Sequence, residues 1–174
     1  MNLCKNLTID NWLTIISLAF VAIGGVFIYF QWKKSLKIKR AEFINQIIEK
    51  LRFDDDLPKT MYEIEYRQNW YSISFHESEF ENDVDKLFSY IDYICYLRNT
   101  NNISKKEFQV FKYEIHRICV SVSTQIYLWN LYHFSKGNNA DCSFQHLIDY
   151  GIKNKLFPKD FKKDKTIFPK TLNW

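Results

Sequence analysis

Residues 12–32 read WLTIISLAFVAIGGVFIYFQW, twenty-one positions without a charge. The polar members are Thr14, Ser17 and Gln31. At about 1.5 Å per residue, a helix of this length spans about 30 Å, the hydrocarbon thickness of a bilayer. Trp12 stands at one end and Tyr29 and Trp32 at the other, where aromatic belts form. Core helices of soluble proteins are usually amphipathic or carry shorter apolar runs. A cleaved signal peptide fits no better. The run is too long for an h-region, its leading tail holds one Lys and one Asp, and no small-x-small site follows. The pattern predicts a transmembrane helix over 12–32 behind a short tail over 1–11.

The flanks set the expected orientation. Lys5 and Asp10 cancel before the span, whereas Lys33, Lys34, Lys37, Lys39 and Arg40 follow it with no acid until Glu42. Positive charge stays cytoplasmic, so the N-terminus is expected outside and the remaining chain inside. The net charge of +4 then separates into parts. Residues 33–40 are a basic collar, residues 41–152 carry 11 basic and 17 acidic side chains, and residues 153–174 carry seven Lys against two Asp. The collar can hold anionic lipid heads at roughly 1 kcal/mol per basic residue. The acidic body is not a nucleic-acid surface by charge, and the Lys-rich end reads as a solvated or membrane-touching tail. A mean hydropathy of −0.33 averages a membrane helix with a polar body.

Only four Gly and three Pro argue against a turn-rich β fold. Lys33 to Arg52 has neither, and Ile44, Ile47, Ile48 and Leu51 repeat at helical spacing, so the first helix is expected to continue as a stalk over 33–53, about 60 Å in all. Asp54, Asp55, Asp56 and Pro58 mark its end and the start of a second helix with Met61, Tyr62, Ile64, Tyr66 and Trp70. Ser78 with Glu81, and Ser104 with Glu107, have capping-box spacing. The first opens a helix to about Arg98. The second opens a long one through Trp129, bent near Ser121 to Thr124 and capped by Gly137. A last helix starts at Ser143, and Phe157-Pro158 and Phe168-Pro169 break the tail. The expectation is an all-α chain: a transmembrane helix, a stalk, a helical bundle over 54–152 and a basic tail over 153–174.

Chemistry-bearing motifs are sparse. There is no Gly-rich phosphate loop, HExxH, GxSxG or EF-hand loop. Cys4, Cys95, Cys119 and Cys142 have no ligand or CxxC spacing, so neither disulfides nor zinc is expected. No cofactor, metal or catalytic residue is assigned. A small helical bundle leaves one enzymatic reading, an RNase of the HEPN class, built on an Arg and a His four to six residues apart. Arg40, Arg52, Arg98 and Arg117 have no His in that window, and Arg67 reaches His76 only at nine positions. His116-Arg117 has the residue types in the wrong order, and Asn130 with His133 is a weak polar pair. These four are the candidate remnants of such a site. Asp83, Asp85 and Asp92 read as an acidic solvated face. The aromatic load, 18% of the chain, fits either a core of large side chains or a protein–protein surface. Gly24-Gly25 allows close helix approach in the membrane.

The order of parts, one N-terminal span, a basic collar and a compact helical body lacking an intact Arg–His pair, resembles the small membrane accessory proteins of type VI-B CRISPR systems. The resemblance covers the whole length in size and arrangement and rests on architecture. It implies a divergent HEPN-like domain on a transmembrane helix. It further implies a ring of copies, an octamer, forming a pore in the bacterial cytoplasmic membrane, functionally coupled to an RNA-guided RNase in antiviral defence. A non-conducting anchor that recruits a partner and a membrane-tethered RNase remain the alternatives.

Overall fold

The computed structural model describes residues 9–54 and 56–171. Residues 1–8 of the expected leading tail (with Cys4 and Lys5), Asp55, and residues 172–174 of the expected basic tail lie outside the described residues. Every regular element described is helical. The chain divides into two compact units, Met1–Ile47 and Ile48–Trp174.

The first unit is helix α1 (Ile9–Phe53) up to Ile47. Its sequence contains no Pro, and its apolar side chains run all round the helix from Trp12 to Trp32, so no single face can bury them. They are exposed, Phe20 to 72% and Ile23 to 67%. The most apolar stretch of α1 is not buried, and the helix is long and apolar enough to cross a membrane. Thr14 turns its hydroxyl back to the Asp10 carbonyl at 2.8 Å, which removes one polar group from the span's surface. A Cβ added at Gly24 or Gly25 would meet nothing within 4 Å.

The second unit is the helical body. Helix α2 (Asp56–Tyr66) is followed by a short 3-10 turn over Ile73–Phe75, then by α3 (Glu79–Asn99). Next come α4 (Lys105–Phe108), a 3-10 turn over Gln109–Phe111, α5 (Lys112–Val120), α6 (Val122–Gly137) and α7 (Gln145–Lys153). Helix α3 packs against α2 and α7, and α5 packs against α2 and α6. Val84, Leu87, Phe88, Ile91, Ile94 and Cys95 form the buried stripe of α3, as their spacing predicts.

Several elements depart from the sequence expectation. Helix α2 stops at Tyr66, because Asn69 takes a left-handed backbone (φ 56) that asparagine tolerates. This turns Trp70 off the helix and into the core, edge-on to Phe80, Phe88 and Tyr127. The Ser104–Glu107 capping box is complete, but the first box is half formed. Ser78 Oγ accepts from the Glu81 amide, while the Glu81 carboxylate reaches past Ser78 to the Glu77 amide at 2.6 Å. The long helix expected from Ser104 breaks twice. At Ser121 (ψ 124) the chain leaves helical geometry, Ser121 caps α6, and Gln125 Nε2 bonds the freed Cys119 carbonyl at 3.0 Å. Gly137 remains inside α6, and Asn139 (φ 55) takes the left-handed position beyond it. The Ala140 amide then returns to the Ser135 carbonyl at 2.8 Å in a Schellman closure.

The segment after α7 is packed rather than loose. Phe157 and Phe161 are buried and stacked at 4.9 Å, although the lysines between and around them are largely exposed. Gly151 makes room for this. A Cβ there would lie 2.5 Å from the Phe157 ring. Gly151→Ala is therefore expected to displace Phe157 and cost about 1–3 kcal/mol, the range for overpacking, read as a lower melting temperature of the detergent-solubilised protein.

Candidate functional site

The four polar candidates fall into two places. Asn130 and His133 lie one turn apart on α6, which sets them on one face. Both are buried under the C-terminal segment. Asn130 Nδ2 donates to the Pro169 carbonyl at 3.1 Å, and its Oδ1 accepts from the Thr171 amide at 2.8 Å. His133 Nε2 lies 3.2 Å from the Phe161 carbonyl, and Trp129 Nε1 donates to the Asp164 carbonyl at 3.1 Å. Tyr71 completes the lock, its hydroxyl 2.7 Å from Thr171 Oγ1. These side chains satisfy backbone groups of a segment that lacks regular structure, which is the work buried polar groups usually do. Burial pushes the His133 imidazole below its ordinary 6.5. An imidazole with a folded pKa below its unfolded value binds more protons when unfolded, so stability falls as pH drops through 6.5. Between pH 7.5 and 5.5 the melting temperature is expected to fall, and to fall less in His133→Gln.

His116 and Arg117 lie on α5, at a groove where α2 meets the α5–α6 break. The groove is about 520 Å³ and also takes in Glu65, Arg67, Ser121 and Ser123. Arg117 is ion-paired with Glu65 and sits between Tyr62 and Tyr113, its guanidinium 5.2 and 5.4 Å from the two rings. The Glu65 pairing holds the guanidinium above its ordinary pKa and the Glu65 carboxyl below the usual range. His116 is exposed. The fold therefore places the His116–Arg117 pair on α5 and the Asn130–His133 pair under the C-terminal segment. Arg117 serves to bind α5 to α2, and His133 to hold the segment after α7 at Phe161.

Two of the three aspartates of α3 are structural rather than a solvated face. Asp85 accepts from the Tyr127 hydroxyl, and Asp92 accepts from the Leu147 amide at 2.7 Å, so they tie α3 to α6 and α7. Burial raises both carboxyl pKa values. Asp83 is half-buried and pairs with Lys86 at 3.2 Å. Cys95 and Cys119 are buried, and burial pushes the Cys119 thiol up to about 12, which leaves it protonated and unreactive. Among the described residues no group of three or more His, Cys, Asp or Glu could hold a metal ion.

The aromatic residues divide by position. Trp70, Tyr71, Phe75, Phe88 and Tyr127 form a core cluster of edge-on and tilted rings. Tyr62, Tyr66 and Tyr113 stay exposed, as do Val120 and Val122 beside the α5–α6 groove. Single-sequence patterning cannot make that division, because it depends on where the Asn69 and Ser121 breaks point the chain. The basic collar, Lys33, Lys34, Lys37, Lys39 and Arg40, is exposed along α1, with Lys33 over the Tyr29 ring at 5.5 Å. Trp12 and Trp32 are exposed at the two ends of the uncharged span.

Among the described residues the regular structure is all helical, with one helix long and apolar enough to cross a membrane followed by a helical body. Comparison with known proteins finds no matching family model, no matching characterised relative and no matching solved structure.

Proposed function

We propose that this chain is the subunit of a homo-oligomeric membrane pore. It acts as an accessory effector of antiviral defence, depolarising the bacterial cytoplasmic membrane when an RNA-guided RNase is activated. The N-terminus faces out and the body lies in the cytoplasm. The observation that carries the membrane part is the exposed, uncharged surface of α1 from Trp12 to Trp32, which water solvates poorly and lipid solvates well. One helix has no lumen, so conduction requires several copies. Two features support self-association. Gly24 and Gly25 have open space where a neighbouring helix can approach. Tyr62, Tyr66, Tyr113, Val120 and Val122 expose apolar surface around the Arg117 ion pair, the composition of an interface core. Ring size and the defence role follow the architectural resemblance to type VI-B accessory proteins.

With Thr14 bonded to its own helix, the span offers few polar groups, so the throat in the bilayer is apolar and gates by wetting. The test is a voltage-sensitive dye in cells expressing the chain with an activated RNA-guided RNase. The pore predicts depolarisation that requires both components. An unchanged potential contradicts it and favours a non-conducting anchor.

A further inference from the structure

A second cavity of the body, about 340 Å³, gathers four cations from four elements. Arg98 lies in the last turn of α3, Lys105 opens α4, Lys112 opens α5, and Lys153 closes α7. The single carboxylate lining it is Asp149, which already accepts from Lys162 and from Gln145 Nε2. Arg98 donates to Asn101 Oδ1 at 3.2 Å, a neutral partner that leaves its charge uncompensated. Local electrostatics accounts for half of this set. Arg98 and Lys153 sit at helix C-termini, where the dipole favours cations. Lys112 sits in the first turn of a nine-residue helix, where the dipole disfavours one. A concave site lined by one sign of charge focuses potential and attracts the opposite charge.

The cavity also has an aromatic wall. Half-buried Tyr150 and buried Phe108 both line it, their rings tilted against each other at 5.4 Å. A braced aromatic face next to clustered cations matches a ligand that joins a flat ring system to linked phosphates. The volume falls at the lower end of the roughly 300–1,000 Å³ of small-molecule sites. We propose that this cavity binds a nucleoside di- or triphosphate, with its phosphates on Arg98, Lys105, Lys112 and Lys153 and its base against Tyr150. The site stands whether or not the chain conducts.

The experiment is titration of the full-length protein in mild detergent with ATP, at about 0.15 M salt, where loose surface charge is screened. Saturable binding is expected, with inorganic tripolyphosphate at least about tenfold weaker because it cannot stack. The triple variant Lys105→Gln, Lys112→Gln, Lys153→Gln is expected to lose at least about tenfold in affinity, since charge-assisted phosphate contacts are the strong ones. All three side chains are at least partly exposed, so the fold survives. The control Lys159→Gln, Lys163→Gln, Lys165→Gln removes equal charge from the C-terminal segment and is expected to bind ATP as the wild type does. No saturable binding, equal loss in both triple variants, or tripolyphosphate as tight as ATP would each overturn the proposal. Displacement of ATP by phosphatidylglycerol vesicles would assign the cavity to lipid phosphate instead and overturn it too.

Discussion

Replacing Phe20 and Ile23 together with aspartate moves the protein out of the alkali-resistant membrane fraction. Both side chains lie near the middle of the uncharged span and are exposed, so the change disturbs no packing within the chain. Each aspartate at a helix centre costs about 2.5–3.5 kcal/mol on the insertion scale, and each lost Phe or Ile forfeits about 0.5 more. The pair sums to about 7 kcal/mol, roughly five decades in partitioning. Fractionation of cells expressing the double variant checks this. A variant that stays in the carbonate-washed membrane shows that something other than the span holds the protein there. The same substitutions leave the body untouched, so its helical content and melting behaviour serve as the control.

The second large effect lies at the other end of the chain. Phe161→Ala is expected to destabilise the body by about 3–5 kcal/mol, the range for emptying a buried aromatic site. Phe161 is fully buried, stacks on Phe157, and offers its carbonyl to His133. Losing the ring therefore loosens the segment that Trp129, Asn130 and His133 hold down. At about 3 °C per kcal/mol for a body of this size, the melting temperature drops by roughly 10 °C. Limited proteolysis provides a second reading, because cleavage is expected to move first to the lysines after Lys153. A melting curve within about 2 °C of wild type, with an unchanged cleavage pattern, shows that the C-terminal segment contributes little to the body.

How much of this was legible from sequence depended on the distance over which each feature is decided. The length and apolar character of the run over 12–32 need no tertiary information, since all twenty-one residues are uncharged. The α3 stripe and the Ser104–Glu107 box are likewise set within a few turns. The end of α2 was not legible, because helix propensity alone does not choose between extending through Trp70 and placing Asn69 in the left-handed region. The packing of Trp70 against five aromatic rings decides it. The break at Ser121 is a similar case. A hydroxyl-rich run signals a bend, but full separation of α5 from α6 rests on Gln125 bonding both the Cys119 and the Leu156 carbonyls, 31 residues apart in the second case.

The C-terminal segment shows the limit most clearly. Its charge pattern reads as a solvated tail, because lysines dominate the composition. Phe157, Phe161 and Phe168 alternate with those lysines, and their aromatic contacts fix the segment's course. From sequence, Asn130 and His133 read only as a weak polar pair near a helix end. Their use as backbone anchors depends on a segment 28 to 41 residues away. The cavity around Lys112 gave no sequence signal, since its four cations lie at four separate helix ends.

Self-association is the central claim, and the mass of the full-length protein in mild detergent at micromolar concentration tests it most directly. The chain weighs 21.1 kDa, and a pore requires a discrete multiple of that mass after the detergent is subtracted, eightfold if the architectural resemblance extends to ring size. A single discrete oligomer is the predicted result. A homogeneous 21.1 kDa monomer under those conditions would contradict it.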